Sequence, residues 1–206
     1  MNAVFFEAND DPITKAVHVS RRKVLEANSA FPEYRLFGHD AHHTDVRATH
    51  TSGRAFHLFS GMAHGGNDHV TGQYNSILFS TTDAAQTNYT VKGAIVHLFS
   101  CNCGKELGPH LVKNGAKAFI GYVAPVEIGS SQGVTDEFVK VAAAIDNSII
   151  SGDSHAISKR KADSEFSAAE ARLLASPIAT PRDVVVFRFN NRSMVGPWTH
   201  SNYGSY

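Results

Sequence analysis

The sequence predicts an α/β fold built on a mostly parallel central sheet of about six strands, with helices on both faces. Short apolar, β-branched or aromatic runs alternate with longer stretches of helical character. Most of these runs are apolar at both alternating positions, as expected for strands that are covered on both sides. The predicted strands are "AVFFEA" (3–8), "YRLFG" (34–38), "AFHLFSG" (55–61), "AIVHLFS" (94–100), "KAFIGYV" (117–123) and "DVVVFRF" (183–189).

The segments between these runs carry helix and turn signals. Asp11 and Pro12 provide a cap and a first turn for "PITKAVHVSRRKVLEANSAF". The segment "KELGPHLVKNG" ends in Asn114-Gly115, a typical helix stop. Apolar residues spaced by three and four predict an amphipathic helix in "VTDEFVKVAAAIDNSIISG", and "DSEFSAAEARLLAS" predicts another. The stretch "VTGQYNSILFSTTD" (70–83) predicts a small hairpin.

Length and composition indicate a single domain over residues 1–206, with a polar tail from about residue 190. Charged residues make up 18% and the formal net charge is +0, so nucleic acid and anionic membrane surfaces are not expected partners. No apolar run approaches the roughly 20 residues that span a bilayer. The first residues lack the pattern of a signal peptide, and we therefore expect a cytoplasmic location.

The two cysteines, Cys101 and Cys103, are separated by one residue. A disulfide across one intervening residue has poor geometry, so we expect free thiols in a reducing compartment. The tetrapeptide His-Leu-Phe-Ser directly precedes Cys101, at 97–100, and also occurs at 57–60, four residues before His64. If the two copies are neighbouring parallel strands, their carboxyl ends meet at one edge of the sheet. The sequence therefore predicts an imidazole and a thiol on adjacent loops.

An imidazole beside a thiol is the arrangement that a cysteine nucleophile needs. A free cysteine has a pKa of about 8.5, so little of it is thiolate at pH 7 unless an imidazolium lies nearby. The imidazole can also protonate a leaving amine. Glycines after His64 leave backbone N–H groups open to an oxyanion. Cys101, the first residue after the apolar run, is the stronger nucleophile candidate, because Cys103 lies deeper in the turn.

Four motifs follow one another in the chain. They are His64-Gly65 after an apolar strand, "SCNCG" (100–104), "GAKAFIG" (115–121) and Pro125-Val126-Glu127. In their order and spacing, and in the opening "VFFEANDDP", the sequence resembles the caspase-like cysteine peptidases. The resemblance is to the branch of that family that contains CHAT domains, gingipains and separase. The resemblance covers residues 3 to 190 and implies a caspase-like three-layer sandwich.

The resemblance implies a cysteine endopeptidase that cleaves a protein or peptide substrate through a thioester acyl-enzyme. In that family Cys101 would be the nucleophile and His64 the general acid and base. The N–H groups of Gly65 and Cys101 would form the oxyanion hole. A side-chain third member is not expected, and neither a metal nor a cofactor is implied. Bacterial relatives often work beside defence or signalling components, which makes an activating or regulatory protein partner an expectation.

Three carboxylates are candidates for binding the substrate side chain before the cleaved bond, P1. Glu127 lies where the branch that cleaves after basic residues often has an acid at the base of its S1 pocket. Asp10 and Asp11, on the turn after the first strand, are further candidates. These acids predict a basic P1 residue. The competing interpretations are a solvated loop residue for Glu127 and a helix cap for Asp10 or Asp11.

Other interpretations remain open at this point. Met62 and Ala63 stand between Gly61 and His64, where the family usually has a small residue directly before the histidine, so an inactive interaction module is an alternative. His69 is an alternative base, whereas the histidines inside the two apolar runs are expected to be structural. The cluster "HDAHHTD" (39–45) raises a metal-dependent hydrolase as a third hypothesis, against the simpler interpretation of a polar surface loop.

Overall fold

The computed structural model describes residues 3–27, 34–38, 41–42, 44–45, 56–82 and 91–199. Its strands are β1 (Ala3–Glu7), β2 (Tyr34–Phe37), β3 (Leu58–Met62), β4 (His69–Thr71), β5 (Ile77–Ser80), β6 (Ile95–Phe99), β7 (Ala118–Tyr122) and β8 (Met194–Trp198). Six of them form one sheet in the order β2-β1-β3-β6-β7-β8. β8 is antiparallel to β7, and the other pairs are parallel. The predicted mostly parallel sheet is confirmed, and β4 and β5 form the predicted hairpin.

Helices and the hairpin cover the two faces of this sheet. The helices are α1 (Pro12–Ala27), α2 (Leu107–Lys113), α3 (Gln132–Ile150), α4 (His155–Ala175) and α5 (Pro181–Ser193). Alternate residues of β1 point to opposite sides, so Phe5 joins the core against α1, α3, α4 and α5, whereas Phe6 joins the core against α2 and the hairpin. Strands buried on both faces explain the continuous apolar runs of the sequence.

The prediction of a strand at 183–189 is wrong, because these residues lie in the middle of α5. Thr180 and Asp183 form a reciprocal capping box, and Pro181 occupies the first turn. Val184 and Phe187 are buried three residues apart, which is helical spacing. The sixth strand of the sheet is instead β8, within the segment that was expected to be a polar tail.

The register of β3 and β6 differs from the repeat in the sequence. Met62 is the partner of Phe99, and Ser60 is the partner of His97, so the two His-Leu-Phe-Ser copies are neighbours but are not aligned. Because β3 continues through Met62, the residue two positions beyond its end, His64, is level with Cys101, two positions beyond the end of β6. Met62 is thus part of β3, and only Ala63 lies in the loop before His64. The separation of His64 from Gly61 therefore does not move the histidine away from the level of Cys101.

A buried ionic cluster attaches α1 to the sheet and to α3. Arg21 has no exposed surface, and its guanidinium lies 2.9 Å from Asp146 Oδ2 and 3.2 Å from Glu7 Oε1. It also donates to Ser60 Oγ at 2.6 Å, and Asp146 Oδ1 lies 2.8 Å from His97 Nδ1. Burial alone would raise the pKa of Asp146, but His97 and Arg21 hold it below its ordinary value. The paired charges fix α1, whose amino-terminal end lies at the edge where the parallel strands end.

Candidate active site

Four neighbouring strands bring chemically active residues to one edge of the sheet. Asp11 follows β1, His64 follows β3, Cys101 follows β6 and Val126 follows β7. Because these strands are parallel, their carboxyl ends lie side by side, and the crevice outside such ends is the usual position of a site in an α/β sheet. The predicted meeting of an imidazole and a thiol on adjacent loops therefore has its structural basis in the strand order.

Two different anchors hold these loops. The backbone N–H of Thr71 in the hairpin donates to the carbonyl of His64 at 2.9 Å, and Gly65 forms a bridge with Val70. After Cys101 the chain turns through Asn102, whose φ of 55° lies in the left-handed region that asparagine tolerates better than most residues. The N–H of Asn102 donates to the carbonyl of Ala124 at 3.0 Å. Both loops are thus tied to ordered backbone.

The two cysteines have different environments. Cys101 is partly exposed, and the backbone N–H of Val126 donates to its Sγ at 3.2 Å. Cys103 is fully buried, and its S–H donates to the carbonyl of Ser100 at 3.2 Å. Burial raises the pKa of the Cys103 thiol to about 12. Only Cys101 combines exposure with an N–H donor on its sulfur, which agrees with its selection as the nucleophile candidate.

His64 has a carboxylate partner that the sequence did not predict. Its Nε2 lies 2.7 Å from Asp11 Oδ2. The other oxygen, Oδ1, accepts from the N–H groups of Ile13 at 2.8 Å and Thr14 at 3.1 Å, so the same carboxylate caps α1. Partial burial alone would raise the pKa of Asp11, but the hydrogen bonds from His64, Thr14 and Ile13 lower it to about 2. With Nε2 occupied, Nδ1 is the ring nitrogen left for proton transfer.

Gly65 lies against the backbone of the nucleophile candidate. A Cβ at this position would lie 2.8 Å from the carbonyl oxygen of Cys101 and 3.0 Å from Ser100 Cβ, so only glycine fits without a shift. Among the described residues, the backbone N–H groups of Gly65 and Cys101 have no hydrogen-bond acceptor. The two donors expected for an oxyanion hole are therefore close together and unused by the fold.

A small cavity, partly open to solvent, joins His64 to Cys101. Both side chains line it, which brings together the two residues expected to carry catalysis. Its other polar lining consists of Thr14 and Ser100. Its remaining walls are apolar and come from α1, the ends of β3 and β6, and the segment after β7, through Ile13, Val17, Met62, Ala63, Phe99, Val126 and Ile128.

The predicted S1 carboxylates do not line this cavity. Glu127 points to α5, where its Oε2 pairs with Arg182 at 3.0 Å. Asp10 accepts from the backbone N–H of Tyr74 at 2.8 Å. Asp11 acts as the helix cap and as the partner of His64. The prediction of a basic P1 residue depended on a free acid in the pocket, and each of these carboxylates already has a partner within the chain.

The other histidines that the sequence singled out differ in their surroundings. His97 pairs with Asp146, as expected for a histidine of a buried strand. His57 lies before β3 and is exposed, so its placement inside that strand was wrong. His69 pairs with Asp68 at 2.7 Å. Of the cluster at 39–45, His39, Asp40 and His43 lie outside the described residues. Within the described ranges, no group of three side chains could hold a metal ion.

None of the helices that the structure describes is long and apolar enough to cross a membrane. The pairing of Asp11 with His64 had no sequence signal, because the two residues are far apart in the chain and the acid already had a local role as a helix cap. No family model, curated protein or solved structure matches this chain.

Proposed function

We propose that this protein is a cysteine endopeptidase of the caspase-like type, with Cys101 as nucleophile and His64 as general acid and base. The observation that carries the proposal is the placement of the two residues level with each other, beyond the ends of adjacent parallel strands and on the wall of one cavity. A thiol and an imidazole in this relation are the minimum equipment for acyl transfer.

Three further contacts support this chemistry. The N–H of Val126 donates to the sulfur of Cys101, and the thiol donates to the carbonyl of Val126 at 3.6 Å, so this backbone holds the nucleophile in place. Asp11 orients the imidazole through Nε2, as a positioning residue rather than a reacting one. Among the described residues, the N–H groups of Gly65 and Cys101 have no acceptor, so they are available to a carbonyl oxygen that gains negative charge.

The reaction divides into two steps. In the first, His64 takes the proton of the Cys101 thiol and Sγ attacks the carbonyl carbon of the substrate. The C–S bond forms, and the C–N bond breaks as His64 gives that proton to the leaving nitrogen. In the second, His64 takes a proton from water, whose oxygen attacks the thioester. The C–S bond then breaks, the new carboxylic acid leaves, and the proton returns to the thiolate–imidazole pair.

The test compares Cys101→Ala with Cys103→Ala on a panel of fluorogenic peptides, with thermal unfolding as a folding check. Loss of the nucleophile should reduce turnover by at least about 10³-fold, whereas removal of the buried thiol should leave turnover largely intact. Equal turnover in wild type and Cys101→Ala would exclude the proposal. A folded wild type that cleaves no peptide, and whose Cys101 resists alkylation near neutral pH, would favour the inactive interaction module.

A further inference from the structure

The wall of the cavity beside Cys101 is mostly apolar, and Thr14 and Ser100 are its uncharged polar residues. Seven residues supply the apolar surface: Ile13, Val17, Met62, Ala63, Phe99, Val126 and Ile128. Apart from His64, no charged or titratable nitrogen or carboxylate among the described residues lines it. Burial of an apolar group against this surface is favourable, and among the described residues His64 is, besides the Cys101 nucleophile, the one lining group that could carry a charge opposite to that of a bound ion.

We infer that this cavity is the S1 pocket and that it selects an apolar, aliphatic P1 residue such as leucine, methionine or isoleucine. The inference rests on the proposed peptidase function and names its substrate class. The acyl group is bonded to Cys101 from the first step until water releases it in the second, while the amine departs toward His64, which protonates it. Three of the apolar walls belong to segments that hold Cys101: Phe99 precedes it, and Val126 and Ile128 follow the strand whose loop contacts its sulfur. The acyl-side residue is therefore the one that meets these walls.

The competing choice is a charged P1 residue, and the contacts of the nearby acids argue against it. An arginine or lysine in the cavity would need a carboxylate, but Glu127 is paired with Arg182 on the exposed side of its segment. Asp11 is already shared between His64 and the first turn of α1. An unpaired charge in an apolar pocket carries a desolvation cost of several powers of ten in affinity.

The experiment uses the intact protein and peptides with a fixed coumarin leaving group, so that only acyl-side residues vary. The peptide with leucine at P1 should have a kcat/KM about 10- to 100-fold higher than the peptide with alanine, because the larger side chain buries more apolar surface in the pocket. Peptides with arginine, lysine or aspartate at P1 should have a lower kcat/KM than the alanine peptide. Each rate must fall in Cys101→Ala, which assigns the turnover to this site.

A variant at the rim of the pocket provides an independent measurement. Ile13 is 52% exposed and lies in the first turn of α1, where an acidic side chain is tolerated. Ile13→Asp should raise the kcat/KM of the arginine peptide relative to that of the leucine peptide by about two- to fivefold. The uncharged Ile13→Asn is the matched control. The same shift in both variants would overturn the assignment of this cavity to P1.

The outcomes separate the inference from the function on which it rests. Cys101-dependent cleavage after basic or acidic residues overturns the apolar pocket and leaves the peptidase proposal standing. Internally quenched peptides that show apolar selectivity only after the cleaved bond overturn the P1 assignment in the same way. No turnover of any peptide, together with no labelling of Cys101 by peptidyl chloromethyl ketones bearing leucine, arginine or aspartate, overturns both.

Discussion

Replacing Asp11 by asparagine separates the two roles of this carboxylate. Oδ1 must remain an acceptor, because the N–H groups of Ile13 and Thr14 point at it. The amide oxygen of Asp11→Asn will therefore take the Oδ1 position, and its NH₂ will take the position that faces Nε2 of His64. The helix cap survives this change. The imidazole, in contrast, meets a donor where it had an acceptor, so its proton is driven to Nδ1, the nitrogen that must receive the proton of the thiol.

The size of the effect follows from the lost contact. A hydrogen bond to a charged group, such as the 2.7 Å bond between Asp11 and His64, contributes about 1.5–3 kcal/mol. If the bond acts mainly in the transition state, its loss alone lowers kcat by about 10- to 150-fold. The wrong tautomer increases the loss further, toward about 10⁴-fold.

The assay measures kcat and KM of Asp11→Asn on the best peptide, beside the midpoint of thermal unfolding. We expect a large fall in kcat with little change in KM. The midpoint of thermal unfolding should also fall at neutral pH, because the pKa of the Asp11 carboxylate is lowered to about 2 in the folded chain and the ionised group therefore adds stability. Asp10→Asn is the matched control, because it alters the adjacent carboxylate, which contacts the backbone of Tyr74 instead of His64. A fall in kcat of less than about threefold in Asp11→Asn would refute the positioning role, since the bond alone predicts more.

Three further predictions concern the loops, the thiols and the acid stability. Gly65→Ala places a Cβ 2.8 Å from the carbonyl oxygen of Cys101 and should lower kcat/KM by about 10- to 100-fold, whereas Gly66→Ala, which meets only the His69 ring, should be milder; equal effects would contradict this. Iodoacetamide at pH 8 should alkylate wild type once, Cys101→Ala not at all, and Cys103 only after denaturation, because burial raises the pKa of that thiol to about 12; rapid labelling of folded Cys101→Ala would disprove it. Asp183 has its pKa lowered from 3.8 to about 2, because its hydrogen bonds to Thr180 and Ser130 outweigh the effect of burial, and this shift corresponds to about 2 kcal/mol of stability. That stability is present above pH 3.8 and disappears as the pH falls toward 2, so urea unfolding of wild type and Asp183→Asn should differ at pH 6 and converge near pH 2; a constant difference would contradict the coupling.

The parallel strands could be predicted because burial on both faces leaves a continuous apolar run in the sequence. The same rule produced the error at 183–189. "VVVF" has high strand propensity, but propensity is weaker than the capping box of Thr180 and Asp183 followed by burial of Val184 and Phe187 at helical spacing. The signal "TPRD" was present in the sequence and would have identified the helix. β8 gave no such signal, because a five-residue edge strand containing glycine and proline resembles a turn.

The candidate site could be predicted in part. The positions of Cys101 and His64 after two apolar runs are local features, and strand pairing brings them to one edge. Contacts between side chains that are far apart in the chain produce no local sequence pattern from which they could be predicted. The sequence pattern around an acid that follows a strand is the same whether the acid lines a pocket or, like Glu127, pairs with an arginine elsewhere in the chain. The catalytic roles themselves stay predictions until turnover is measured.

The register of β3 against β6 limits how this chain can vary. A parallel strand advances about 3.3 Å per residue and reverses its faces at every step, so a slip of one residue would exchange the two cores. A slip of two restores the faces but carries His64 about 6.6 Å along the edge, beyond reach of Cys101. The position of His64 relative to Cys101 can therefore change only by whole residues along the strand, and not by small amounts. Insertions or deletions within β3 (Leu58–Met62) should be tolerated by the fold only in pairs, and they should disrupt the site in every case.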